Sequence, residues 1–119
     1  MKNLISWVEI PANDFERAVK FYSTVLNTEM QVFDSEQEKM ACFPTGEGAI
    51  SYAPGFEPGN HGPLVSFNTE GGIDTAIERI KDLGGAIVQP KTKIEAEGRG
   101  FFAVFTDTEG NKVGLYSDN

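Results

Sequence analysis

Apolar residues fall twice into the same helical rhythm. Phe15, Ala18, Val19, Tyr22 and Val25 stand at i, i+3, i+4, i+7 and i+10, and Ile73, Ala76, Ile77, Ile80 and Leu83 repeat that spacing 58 residues later. Each set lays one apolar stripe along one face, which predicts an amphipathic helix of about three turns in each half of the chain. Asn13 and Glu16 have the spacing of a capping box at the start of the first helix. Gly84-Gly85 supplies a C-cap for the second.

Shorter apolar runs surround both helices. One strand is predicted ahead of each helix, over 4–10 and 64–69, and about three after each, over 29–33, 39–43 and 49–53, then 86–89, 101–106 and 112–116. Ala41, Phe43, Glu47 and Gly48 recur as Ala103, Phe105, Glu109 and Gly110 at an offset of 62, so 45–48 and 107–111 read as hairpin turns. Residues 54–63 hold three Pro and three Gly and form the predicted linker. The expected fold is therefore α+β: two tandem β-α-β-β-β modules, about 1–53 and 64–119, in one domain. A four-stranded sheet with a helix on one face has another face to cover or to use. Two such sheets curving towards each other would enclose a cup-shaped cavity, sized for a small molecule and not for a polymer.

Charge narrows the partners. Ten Lys+Arg against 18 Asp+Glu give a formal net charge of −8, which repels phosphate backbones and anionic lipid surfaces. The densest basic stretch, Lys91 to Lys93 with Arg99 beyond, is interrupted by Glu95 and Glu97. Neither a nucleic acid nor a membrane is expected as a partner. The single cysteine, Cys42, excludes an intramolecular disulfide and any zinc site built on paired cysteines, and suits a reducing cytoplasm. The first residues are too polar for a signal peptide, and no apolar run reaches membrane-spanning length.

The paired modules, the helix Asp14-Phe15-Glu16-Arg17-Ala18-x-x-Phe21-Tyr22-x-x-Val25-Leu26 and the closing Asp107-Thr108-Glu109-Gly110-Asn111-x-x-Gly114-Leu115 resemble the glyoxalase / bleomycin-resistance / extradiol-dioxygenase group, the vicinal oxygen chelate superfamily. The resemblance covers nearly the whole chain. Val8-Glu9-Ile10-Pro11 is similar to its bacterial branch related to lactoylglutathione lyase. The resemblance implies a homodimer, with a cavity that can be completed across the dimer interface. It also implies a divalent metal held by His, Glu or Gln on the first and last strands of each module. Counted from Asp14 and Asp107, and carried across by the two repeat offsets, those positions fall on Trp7, Val65, Gly114 and Tyr52. Only the tyrosine offers a donor, and one weak ligand does not make a site. No metal and no other cofactor is therefore expected, and metal-dependent lactoylglutathione lyase or dioxygenase chemistry is disfavoured unless the alignment of the site is wrong.

Other residues carry the remaining chemistry. Trp7 and Glu9 should share one face of the first strand. Beside an indole, Glu9 suits either a general base or the fixing of a cationic group, against the plainer account of a rim carboxylate paired with a lysine such as Lys112. Trp7, Tyr52 and Phe67 could line the cavity for a planar or apolar ligand, or fill the core. Residues 90–100 read as a long loop, either a lid in which Arg99 meets an anionic group or a solvated connection. His61 on the linker reads as exposed, and Cys42 as a small buried hydrophobe. Three functions fit: a metal-free binder of a small, partly apolar or aromatic molecule, of resistance or sequestration type; a lyase- or isomerase-like enzyme with Glu9 as base; or a partner-binding module with a vestigial cavity.

Overall fold

The computed structural model describes residues 4–69 and 71–119. Its elements run β1 (Val8–Pro11), α1 (Phe15–Val25), β2 (Gln31–Asp34), β3 (Lys39–Cys42), β4 (Gly48–Tyr52), β5 (Ser66–Asn68), α2 (Ile73–Asp82), β6 (Ala86–Lys93), β7 (Phe101–Thr106) and β8 (Lys112–Ser117). They form two four-stranded sheets, ordered β1-β4-β3-β2 and β5-β8-β7-β6. In each sheet the strand before the helix pairs parallel to the last strand, and the other pairs are antiparallel. The α+β architecture with its repeated β-α-β-β-β unit is the one that the hydrophobic rhythm predicts.

The cap of α1 is built differently from the expected box. Asp14, one residue after Asn13, is the N-cap, and its carboxylate accepts from the Arg17 amide at 3.1 Å. Glu16 does not reach back. The free amides of Asn13 and Asp14 donate instead to Oε1 of Glu109, at 2.9 and 2.7 Å, from the far half of the chain. Helix α2 has no side-chain cap and ends as expected, with Gly84 at φ 93° and the Gly85 amide donating to the Ile80 carbonyl at 2.9 Å. A side chain at Gly85 would run into Ile80 and Phe21.

Both sheets turn the same kind of face to the helices. Ile10, Ala41 and Ile50 from the first sheet and Ala103, Phe105, Val113 and Leu115 from the second join the buried stripes of α1 and α2 in one core. Helix α1 binds the halves together: Phe21 packs on Phe105 with ring centroids 5.9 Å apart, and Tyr22 on Phe67 at 5.8 Å. With the core on the helix side, the opposite sheet faces point outward. Glu9 and Phe33 on the first and Ser66 and Asn68 on the second are exposed, so the described residues of one chain do not close the cup by themselves.

Two strand ends move by four residues: β1 begins at Val8 instead of residue 4, and β6 ends at Lys93 instead of residue 89. Strand β6 runs on through Lys93, so Pro90 lies in a strand and the expected loop shrinks to 94–100. Proline is tolerated because β6 is an edge strand whose pairing with β7 slips between Gln89 and Thr92. Lys91 and Lys93 then lie over the Phe101 ring, at 4.7 and 5.3 Å from its centroid, instead of on a lid.

The repeat offsets also change from element to element. The helices repeat at 58, but the segment between first strand and helix has three residues in the first half (12–14) and four in the second (69–72), so the first strands repeat at 57. Ile10 pairs with Ile50 as Phe67 pairs with Leu115, and both pairs face the core.

Candidate functional site

A groove of about 490 Å³ opens along β1, floored and walled by Trp7, Glu9, Pro11, Val65 and Val113 and flanked by the linker residues Phe56, Glu57 and His61 and by Lys112. A second hollow of about 640 Å³ lies over the other strands of the same sheet and includes Phe33, Met40, Ser51 and, again, Glu9. Glu9 borders both, so the two hollows adjoin at its side chain and make a trough that runs from the β1 edge onto the first sheet. Sheet register explains which residues meet there: Pro11 pairs with Ser51, Ser51 with Met40 and Met40 with Phe33, all on the face opposite Ile10 and Ile50.

One polar pair is fixed where the two hollows meet. The buried Ser51 hydroxyl donates to Oε1 of Glu9 at 2.7 Å. Among the described residues no cationic side chain lies within ion-pair distance of Glu9, so the expected pairing with Lys112 is not made. Glu9 is also exposed, so a single chain does not supply the apolar enclosure that would suit it to proton transfer. Trp7, the only tryptophan, is 42% exposed at the groove wall.

Asn111 shapes the groove from below. Its Nδ2 donates to the Pro11 carbonyl at 2.8 Å and to Oδ2 of Asp107 at 3.0 Å, while its Oδ1 accepts from the Gly59 amide at 3.1 Å. One buried side chain thus holds the end of β1, the linker and the β7–β8 turn together. Behind it, Oδ1 of Asp107 accepts from the amides of Glu109 and Asn111, and Oδ2 accepts from the Tyr22 hydroxyl at 2.6 Å. Burial first, and then the charge and hydrogen bond of Asp107, push the Tyr22 phenol well above its ordinary range. Burial alone would raise Glu109. The hydrogen bonds from Arg17, the Asp14 amide and the Thr108 hydroxyl, with the Arg17 charge, outweigh it and hold the carboxyl below its usual value.

The structure gathers some expected site residues and separates others. Trp7 and Glu9 share the groove, and His61 joins them on its linker wall. Phe67 does not: it lies on the helix side, packed against Tyr22 and edge-on to Phe43 at 5.4 Å, because the first strands repeat at 57 and not 58. Tyr52, opposite Lys39 at the end of β4, borders the second hollow together with Glu9 and Ser51. Arg99 is exposed in the 94–100 connection and lines neither hollow. Cys42 is half-buried beside Ala49. Sequence reasoning missed Ser51, Phe33, Met40, Phe56 and Asn111. Only Asn111 carried a signal, as the last residue of the turn motif.

Register also relocates the positions that a family metal would need. Glu9 pairs with Ala49 as Ser66 pairs with Gly114, so the counterpart of Gly114 is Ala49, not Tyr52, and the counterpart of Trp7 is Leu64, not Val65. Trp7, Ala49, Leu64 and Gly114 offer no carboxylate, imidazole or amide. At Gly114 a Cβ would stand 2.3 Å from the Ser66 hydroxyl, so a side chain there would have to displace it. Among the described residues no three His, Cys, Asp or Glu side chains are grouped to hold a metal. The donor set does not fit one.

The sequence profile of the Glyoxalase/Bleomycin resistance protein/Dioxygenase superfamily matches residues 4–115. The chain belongs to that superfamily. Solved structures of the superfamily share its fold at low identity. A glyoxylase/bleomycin resistance protein/dioxygenase domain from Frankia sp. EAN1pec is 16% identical, with TM-score 0.74 and 100% of both chains covered. A family enzyme from Burkholderia phytofirmans PsJN is 16% identical, with TM-score 0.72, covering 97% of this chain and 98% of the other. The genomically encoded fosfomycin resistance protein FosX from Listeria monocytogenes is 20% identical, with TM-score 0.69, covering 100% of this chain and 94% of the other. No curated protein matches the sequence. Among the described residues of this superfamily member no helix is long and apolar enough to cross a membrane.

Proposed function

We propose that this superfamily member is a cytoplasmic binding protein for a small, partly apolar or aromatic molecule, held without metal in the trough beside Trp7 and Glu9. The observation that carries this is the placing of the only tryptophan and of a carboxylate with no ionic partner among the described residues in one groove, where the superfamily positions for a metal carry no donors. The fosfomycin resistance protein among its structural neighbours adds weight to a sequestering or resistance role. A second copy of the chain would cover the trough. The exposed Phe33 and Leu64 are apolar side chains that such a homodimer would bury.

Trp7 makes the test direct, since all tryptophan emission comes from the site. Protein purified without chelator is titrated with a panel of small aromatic and aliphatic molecules, with its mass and metal content measured alongside. A saturable change in emission, in a metal-free dimer, is expected. One transition metal per chain, or a ligand bound tightly with Trp7 undisturbed, would overturn the proposal.

His61 and Glu9 on one groove favour a second reading, a lyase- or isomerase-like proton transfer with Glu9 as base. Full turnover by a Glu9→Gln protein would exclude it.

A further inference from the structure

We infer that the ligand of the trough is an organic cation, a protonated amine or quaternary ammonium borne on a flat apolar body. This rests on the trough being the binding site. Trp7 and Glu9 lie two residues apart on one groove, which places their side chains about 7 Å apart along an extended chain, the room that an ammonium group needs between an indole face and a carboxylate. Tryptophan is the best of the aromatic partners for a cation. Ser51 holds Oε1 of Glu9 from beneath, so the carboxylate is oriented before a ligand arrives, and Oε2 has no partner among the described residues.

The surrounding charge has the matching sign. Glu57 flanks one hollow, and Asp34 and Glu38 the other, so with Glu9 four carboxylates border the trough against the two ammonium groups of Lys112 and Lys39. The whole chain adds its net charge of −8, which draws cations in and slows anions. Among the remaining lining residues, Phe33, Met40 and Phe56 are apolar and suit the body of such a molecule. An anion would meet Glu9 at the centre. A neutral molecule would leave its carboxylate covered and without a counter-charge.

Three probes of one shape separate the possibilities: (2-naphthylmethyl)trimethylammonium, 2-naphthylmethanol and 2-naphthoate, titrated by calorimetry into the full chain and into Glu9→Gln. The cation is expected to bind at least tenfold more tightly than the alcohol, with the carboxylate weakest. Glu9→Gln should bring the cation down to the affinity of the alcohol while the alcohol changes less than twofold. Equal binding of cation and alcohol, both perturbing Trp7 emission, would overturn the charge assignment and leave the site standing. Tighter binding of the carboxylate would do the same. Binding of none of the three would overturn both.

Discussion

The Tyr22 hydroxyl donates to Oδ2 of Asp107 at 2.6 Å across 85 residues of sequence, in the buried seam between the two halves. This bond ties the middle of α1 to the β7–β8 turn, and through Asn111 that turn holds β1 and the linker at the groove.

Tyr22→Phe removes a buried donor to a charged acceptor and is expected to cost about 2 kcal/mol in urea denaturation. The same bond sets an alkaline limit. The folded Tyr22 phenol titrates above its ordinary value of 10.0, so its contribution is complete below that pH and is lost as pH rises towards the folded value. Stability of the parent protein should therefore fall more steeply above pH 10 than that of Tyr22→Phe. Parallel curves would refute the assignment.

Glu109 gives the mirror-image dependence. Its carboxyl is held below the ordinary 4.5, so its contribution is present above that pH and disappears as pH falls through the folded value. Glu109→Gln, which weakens the cap on the Asn13 and Asp14 amides, is expected to cost about 1 kcal/mol near neutrality and to flatten the acid limb of the stability profile.

Two glycines should respond differently to one methyl group. At Gly48 an added Cβ would stand 2.0 Å from the Val8 carbonyl oxygen, part of the backbone, whereas at Gly114 it would meet the Ser66 hydroxyl, which can turn away. Gly48→Ala is expected to lose about 3 kcal/mol and Gly114→Ala about 1 kcal/mol. Equal losses would mean that β1 moves as easily as a serine side chain.

Phe67 and Trp7 separate core from site. Phe67→Ala should lower stability by about 3 kcal/mol, since it removes ring contacts with Tyr22 and Phe43. Trp7→Ala, at an exposed position, should change stability by less than about 1 kcal/mol and abolish binding at the groove. Denaturation curves beside ligand titrations would show the opposite ranking if Phe67 lined the site.

The helices and most strands were legible because their apolar period is long or strict: the spacing of Phe15 to Val25 leaves no other solution, and Phe101–Thr106 agrees with its expected bounds. Which face of a strand a residue occupies was less legible. The connection before α2 has one residue more than the connection before α1, and in a strand one residue reverses every side chain. Of the two places open to Phe67, cavity or core, an offset of 58 favours the first, and the true offset of 57 turns it to the core. A longer second hairpin shifts the last strands as well: Ala41 pairs with Ile50, nine residues on, but Ala103 with Leu115, twelve on, so the counterpart of Gly114 is Ala49 and not Tyr52. Ser51 and Met40 had no signal at all, because their meeting with Glu9 is made by pairing between strands and not by any local pattern.

The Glu109 cap on α1 bears on how the chain is made. The amides that it satisfies, those of Asn13 and Asp14, precede it by 96 and 95 residues. On a ribosome, the amides of Asn13 and Asp14 emerge without this partner and wait for the β7–β8 turn to follow. Sequence order and folding order are thereby uncoupled: α1 is completed by a turn synthesised 95 residues after its cap.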